Sequence, residues 1–335
     1  MKIDGGIGFN PTGGGAAAKD LEDLGYDGAW AAETGHDPFL PLAIAAQTTE
    51  RLELGTSIAV AFARNPMTLA MVANDLQEMS KGRFILGLGS QIKPHITKRF
   101  SMEWSHPAPR MREMLLAIRA IWDCWADGTK LDFRGEFYTH TLMTPFFNPG
   151  PNRYGSPKII LAAVGERMTE VAGEAGDGMI VHGFTTQRYL REVTLPALER
   201  GAAKAGKARQ DLTVAYPGFV VTGEGEQLEQ AKVATKRQIA FYGSTPAYRP
   251  VLELHGWGEI GDELNTMSKR GEWEAMGEKI TDEMLDSFAV VGPLDDIPRL
   301  VAERYGDLVD RFSFYAPYRM ETGELPKVLA KFKEL

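Results

Sequence analysis

LELGTSIAVAFARNPMTLAMVANDLQEMSKGRFILGLGS, residues 52–90, contains a strand, a helix and a second strand in 39 positions. LELGTSIAV is a short apolar run of small and β-branched residues, the pattern of a strand buried on both faces. Asn65-Pro66 opens a helix, because a proline in the first turn gives up an N–H that has no partner there. Leu69, Val72, Ala73, Leu76 and Met79 then follow at helical spacing and give that helix one apolar face. Lys81-Gly82 stops it, and RFILGLGS runs directly into another buried strand. Buried strand, crossover helix, buried strand is a parallel βαβ unit, right-handed by default. Both strands end in small polar residues, Thr56-Ser57 and Gly89-Ser90, at the carboxyl edge where parallel α/β proteins place their ligands.

Outward from this unit the same alternation continues. Residues 2–9 read as a first strand, 16–24 as a helix, GYDGAWAAE (25–33) as a second strand and 39–50 as its helix. After residue 90 come a strongly apolar helix over 111–125, strand five (KIILAAVG, 158–165) and a helix over 166–175. Strand six (GMIVHGF, 178–184), a helix over 187–205 that contains Pro196, and strand seven (DLTVAYPGFVVTG, 211–223) follow. Residues 227–285 form a helical excursion with breaks at 244–246 and 256–258, then come a helix over 294–305, strand eight (DRFSFYAPY, 310–318) and a last helix from Gly323. Residues 128–156 are rich in Pro, Gly, Asn and aromatics and far exceed the ~2–6 residues of an ordinary barrel connection, so they read as an insertion loop with some local strand. Eight apolar strands alternating with helices, without a fixed repeat or a splitting linker, predict an α/β protein of the (β/α)8 TIM-barrel class. The chain reads as a single domain over 1–335, and a doubly wound sheet with a helical domain is the alternative.

Composition narrows the function. A net charge of -8 and a pI near 5.4 argue against nucleic acid or an anionic membrane surface as the main partner. One cysteine, Cys124, cannot form an internal disulfide, and its place in an apolar helix predicts an inert buried thiol. No basic, then apolar, leader opens the chain and no run reaches the roughly 18 apolar residues of a membrane span, so a soluble cytoplasmic protein is expected.

A barrel builds its site from the strand ends and the loops after them. Here those positions are Phe9-Asn10, the run from Glu33 through Thr34 and His36 to Asp37, then Thr56, Ser57 and Ile58, then Gly89, Ser90 and Gln91. The later strands add Val164, Gly165 and Glu166, then His182, Gly183 and Phe184, and finally Tyr216 and Tyr315. The set is poor in paired metal ligands and holds no Gly-x-Ser-x-Gly elbow, which argues against a metal hydrolase and against a nucleophilic triad. Val164, Gly165 and Glu166 open a helix, so free backbone N–H groups and the helix dipole favour a phosphate there. His36 with Glu33 nearby is a candidate proton donor, while the structural reading makes Glu33 and Asp37 caps of the next helix.

Together AAETGHDPF (31–39), LGTSI (54–58) with FARNP (62–66), GRFILGLG (82–89) and AGDGMIVHGF (175–184) resemble the bacterial luciferase-like flavin and deazaflavin oxidoreductases, especially the branch that uses coenzyme F420. The resemblance implies a ring lying across the strand C-termini, a cis peptide at Ser57–Ile58 that supports it, and cofactor phosphate against Val164, Gly165 and Glu166 and near Gly183 and Phe184. It also implies that Thr34, Thr56, Gly89, Ser90 and Gln91 border the cofactor. Members of the branch often carry glutamate in the loop of Gln91, and an amide cannot serve as an acid. The implied activity is hydride exchange between the deazaflavin and a small-molecule substrate, with His36 or Glu33 moving the accompanying proton. The aromatic insertion 133–154, Trp104 and Tyr216 are candidate covers for that substrate. The alternatives are an FMN-dependent two-component monooxygenase and a non-catalytic flavin-binding barrel. Lys93, Lys98 and Arg99 either meet an acidic cofactor tail or form a solvated face. The resemblance further implies a homodimer through helices beside strands two to four; the apolar Met67–Met79 helix is compatible with that and equally with the core of a monomer.

Overall fold

The computed structural model describes residues 1–8, 10–320 and 323–335. Phe9, placed above at the end of the first strand, lies outside the described residues. Eight strands carry the fold: β1 (Lys2–Gly6), β2 (Gly28–Ala31), β3 (Glu53–Thr56), β4 (Phe84–Gly89), β5 (Lys158–Ala163), β6 (Gly178–Val181), β7 (Thr213–Val221) and β8 (Arg311–Tyr315). Their hydrogen-bonded order runs from β1 to β8 and returns to β1, which is the closed parallel sheet of a (β/α)8 barrel. The register is set by pairs such as Ala29↔Leu54, Leu54↔Phe84, Leu86↔Ile159 and Tyr216↔Phe312.

The chain packs as two compact units. One comprises Asp4–Ile180 and Ala197–Thr213. Its core is built from the strand residues Leu54, Leu86, Leu88, Ile160 and Leu161 against the helix residues Leu69, Ala73, Met114 and Ile118, all buried. The βαβ unit is as read: the helix spans Pro66–Met79, Asn65 caps it by accepting from Met67 N at 2.8 Å, and it ends at Ser80. Gly87 has to be glycine, because a Cβ there would lie 1.7 Å from the Thr56 carbonyl oxygen. The apolar helix spans Pro107–Asp127, four residues longer at its start than the apolar periodicity indicates, since Pro107 sits at its first turn. Within the insertion, Phe133–Arg134 and Thr139–His140 pair as a short antiparallel hairpin. Cys124 is buried and donates to Thr129 O at 3.0 Å, and burial pushes its thiol up.

The second unit comprises Met1–Ile3, Val181–Pro196 and Val214–Leu335. Phe184, Phe219, Ile239, Leu252, Leu264 and Phe288 form its core. The helical excursion is observed as helices Gly225–Gly243, Arg249–Leu254, Gly258–Arg270, Trp273–Glu278 and Asp282–Phe288. A strand not anticipated from the sequence, Ala289–Val291, pairs with β7 at Phe219↔Ala289. The turn Leu190–Thr194 just before Pro196 is widened to π geometry, which relieves the clash that the proline ring would make with the preceding turn. Among the described residues no helix is long and apolar enough to cross a membrane.

Candidate active site

The carboxyl ends of β2 to β5 bring most of the expected residues to one edge of the larger unit. After β2, Glu33 is held rather than free. Its Oε2 accepts from Val60 N at 2.7 Å and from Arg64 Nη1 at 2.5 Å. The second arm of the Arg64 guanidinium donates to Asp37 Oδ2 at 2.8 Å, and Asp37 Oδ1 caps Phe39 N at 2.9 Å. With a side chain 7% exposed, Glu33 has one carboxylate oxygen, Oε2, engaged by these two donors. Arg99, from the loop after β4, donates to the Thr34 carbonyl oxygen. Two arginines from two other loops thus pin the segment that carries His36, which is exposed. Arg99 therefore has a structural partner as well as a cation–π contact with Phe100.

At the end of β3 the Ser57–Ile58 peptide is cis, as the resemblance implied. Ser57 N donates to Ala31 O at 2.8 Å, and Glu33 N donates to Ile58 O at 3.2 Å, so this bend is stitched to the end of β2. Gly89 leaves room for the Ile58 side chain, since a Cβ would lie 2.9 Å from its Cγ1. Thr56, expected beside a cofactor, is fully buried, and its hydroxyl donates to Gly87 O at 2.6 Å and accepts from Gly87 N at 2.9 Å. It ties β3 to β4. Ser90 donates to the Gln91 carbonyl at 3.1 Å, while Gln91 adopts φ 59 and accepts from Ile92 N at 3.0 Å through Oε1.

After β5, Gly165 has φ 77 and ψ 152, which a side chain would strain, and nothing lies within 4 Å of the place its Cβ would take. It caps the ten-residue helix Glu166–Ala175. The Glu166 carboxylate, the one negative group in that first turn, is turned to Arg200 at 2.5 Å. The helix end keeps its positive dipole with its nearest anion neutralised and open backbone beside Val164, itself 42% exposed. These residues fit the phosphate of a nucleotide-like cofactor.

The smaller unit holds the residues after β6. Phe184 is 2% exposed and stacks on Phe288 with ring centroids 4.6 Å apart, so its ring belongs to the core. Its N–H donates to His182 Nδ1 at 3.0 Å, and His182 Nε2 lies 3.1 Å from Tyr248 Oη. Because a backbone N–H can only donate, Nδ1 is the acceptor and Nε2 carries the proton. Burial pushes the imidazole down to about 4, which keeps it neutral. Tyr242 and Tyr315 share a hydroxyl–hydroxyl bond of 2.7 Å in the same cluster. Gly183 is tight, with a would-be Cβ 3.1 Å from both Pro217 O and the Tyr315 ring. Tyr216, expected to cover a substrate, is 1% exposed and packs against Tyr305 and Phe312. The arginine clamp and the tyrosine cluster escaped the sequence reading, although FARNP already contained Arg64. Among the described residues no group of three or more His, Cys, Asp and Glu side chains is placed to hold a metal.

The family profile described as luciferase-like monooxygenase matches residues 5–311. An uncharacterized protein of Mycobacterium tuberculosis is 57% identical over 93% of this chain and 92% of its own length. A 5,10-methylenetetrahydromethanopterin reductase of Archaeoglobus fulgidus is 30% identical over 85% of this chain and 83% of its own. The solved coenzyme F420 dependent tetrahydromethanopterin reductase of Methanopyrus kandleri superposes with a TM-score of 0.76 at 20% identity, covering 98% of this chain and 95% of that one.

Proposed function

The chain belongs to the luciferase-like monooxygenase family, and on that premise we propose that it is a coenzyme F420-dependent oxidoreductase acting on a small organic substrate. The observation that carries this reading is the open Gly165 backbone at the start of Glu166–Ala175, where the local acidic residue is neutralised by Arg200 and an anion is favoured. The relatives named as methanopterin reductases and the F420-dependent structural neighbour support the choice of cofactor. Val164, Gly165 and Glu166 would hold the phosphate through backbone N–H groups, and the Ser57–Ile58 bend with Gly89, Ser90 and Gln91 would border the ring. Bound there, a deazaflavin supplies hydride chemistry at its carbon 5.

The chain contributes position and a proton. Arg64 and Arg99 fix the loop of residues 33–37, and the exposed His36 ring nitrogens exchange a proton with the substrate oxygen. Glu33 acts through Arg64 and Val60 and touches no substrate. Gln91 orients by hydrogen bonding alone.

The reading is tested by anaerobic oxidation of reduced F420 with a panel of ketones, enones and sugar-derived carbonyls, followed by deazaflavin absorbance. Turnover with at least one substrate, cut about 100-fold or more in His36→Gln with F420 affinity unchanged, is expected. No turnover across the panel, or a His36→Gln variant as active as the parent, sinks it. Oxygen-dependent turnover with reduced FMN would instead select the two-component monooxygenase.

A further inference from the structure

Beside the arginine clamp, within the larger unit, lies a cavity of 480 Å³ bordered by the loop after β3, the loop after β4 and the insertion hairpin. Phe62 and Met102 supply apolar wall, and Trp104 braces Phe62 edge-on at 5.6 Å. Arg64 and Arg110 supply two guanidinium groups, and Tyr138 a phenol. Arg110 is only 14% exposed, with its guanidinium over the Phe137 ring at 5.2 Å. Its Nη1 donates to Glu103 O at 3.1 Å, and its Nη2 meets Glu103 Oε2 at 3.4 Å. Its Nε is buried with no acceptor among the described residues.

A buried guanidinium N–H without an acceptor is costly, and a carboxylate is its best-matched partner. Glu103 does not fill that role: its side chain is 72% exposed, and its contact with Nη2 is long for a charge-assisted bond. Burial pushes the Tyr138 phenol up to about 12, so it remains a donor. The lining therefore combines the cationic Arg110 and the phenol of Tyr138 with the apolar side chains of Phe62 and Met102.

We propose that this cavity is a binding site for a small carboxylate carried on an aromatic or similarly flat apolar body, with the carboxylate taking the Arg110 Nε proton and the body lying against Phe62 and Met102. The site is independent of the cofactor reading. It shares one wall with the candidate active site, because Arg64 borders the cavity while its guanidinium holds Glu33 and Asp37.

The test is calorimetric titration of the full chain with benzoate and with benzamide, its neutral isostere. Benzoate should bind at least tenfold more tightly than benzamide. Arg110→Gln should abolish that preference. Arg110→Lys, which keeps the positive charge over Phe137 and so guards against misfolding, should weaken benzoate about fivefold or more for want of the Nε donor. Equal binding of the two ligands, no benzoate binding, or benzoate affinity unchanged in folded Arg110→Lys would each overturn the proposal. Far-UV circular dichroism and a thermal midpoint near that of the parent establish that the lysine variant is folded.

Discussion

Arg64 does more for the mouth of this protein than its place in a loop suggests. One guanidinium joins the buried Glu33 carboxylate to Asp37, and the same Glu33 oxygen takes the Val60 N–H. Removing one member of such a pair leaves the other charged and largely desolvated, which costs more than the pair contributes. Arg64→Ala should therefore lower the unfolding free energy by about 2–3 kcal/mol, a value discounted for the partial exposure of the arginine. Adding Glu33→Gln should restore part of that loss, because the stranded charge goes with it. Urea unfolding of the single and double variants decides the point; a single variant within about 0.5 kcal/mol of the parent would show that the bridge is idle. Residue-level partners of this kind are hidden in a sequence. Nothing local to FARNP shows that Arg64 reaches back to residue 33, nor does anything near Arg99 point to Thr34. The partner of Thr56 is hidden for the same reason: its hydroxyl bonds Gly87, 31 residues away, which only strand pairing brings near.

Elements were more legible, because their signals are local. The Asn65 cap, Pro66 in the first turn and the Lys81-Gly82 stop bound the central helix within the stretch that encodes it. The insertion hairpin shows the contrary case. Its strands have two residues each, too few for an alternating pattern, and a carboxylate from another element holds them. Glu113, on the helix Pro107–Asp127, accepts from Glu136 N at 2.9 Å, Phe137 N at 2.7 Å and Tyr138 N at 2.6 Å. Glu113→Gln keeps one carbonyl oxygen and loses the charge, so the hairpin should open locally while the barrel persists. Hydrogen exchange of those three amides should speed up about tenfold or more, with the thermal midpoint nearly unchanged. Protection equal to that of the parent would mean that packing, not Glu113, holds the turn. The strand Ala289–Val291 is another short element made by its neighbour, here Phe219–Val221 of β7.

Across the whole molecule, stability should fall on mild acidification. His182 is held near 4 by burial, and His140 and His255 are pushed down chiefly by burial too. Between pH of about 6.5 and 4 the unfolded chain takes up protons at His182 that the folded chain refuses, so stability drops as pH falls through that window, by up to about 3 kcal/mol for this group. Glu22 adds a second, more acidic loss. Burial alone would raise it, but N–H donors from Arg51, Leu52 and Glu50 outweigh burial and hold it below the usual range. Its contribution is present above the ordinary carboxylate value and disappears as pH falls through the lowered one. Urea midpoints across this range should decline steadily, and a flat profile with His182 titrating near 6.5 by NMR would contradict the buried neutral ring. At this scale the barrel was readable from eight buried strands, and the family from four motifs. The substrate is not encoded in any such pattern, since it depends on side chains that meet only in the fold.

The cofactor is the claim on which the rest of the functional account turns, and equilibrium binding of the purified protein to coenzyme F420 and to FMN, side by side by fluorescence quenching, addresses it first. The account predicts micromolar or tighter binding of F420, at least tenfold weaker binding of FMN, and a loss of about tenfold or more in Gly165→Ala, where the strained backbone no longer presents its N–H groups. Preference for FMN, or F420 affinity untouched by Gly165→Ala, would contradict it.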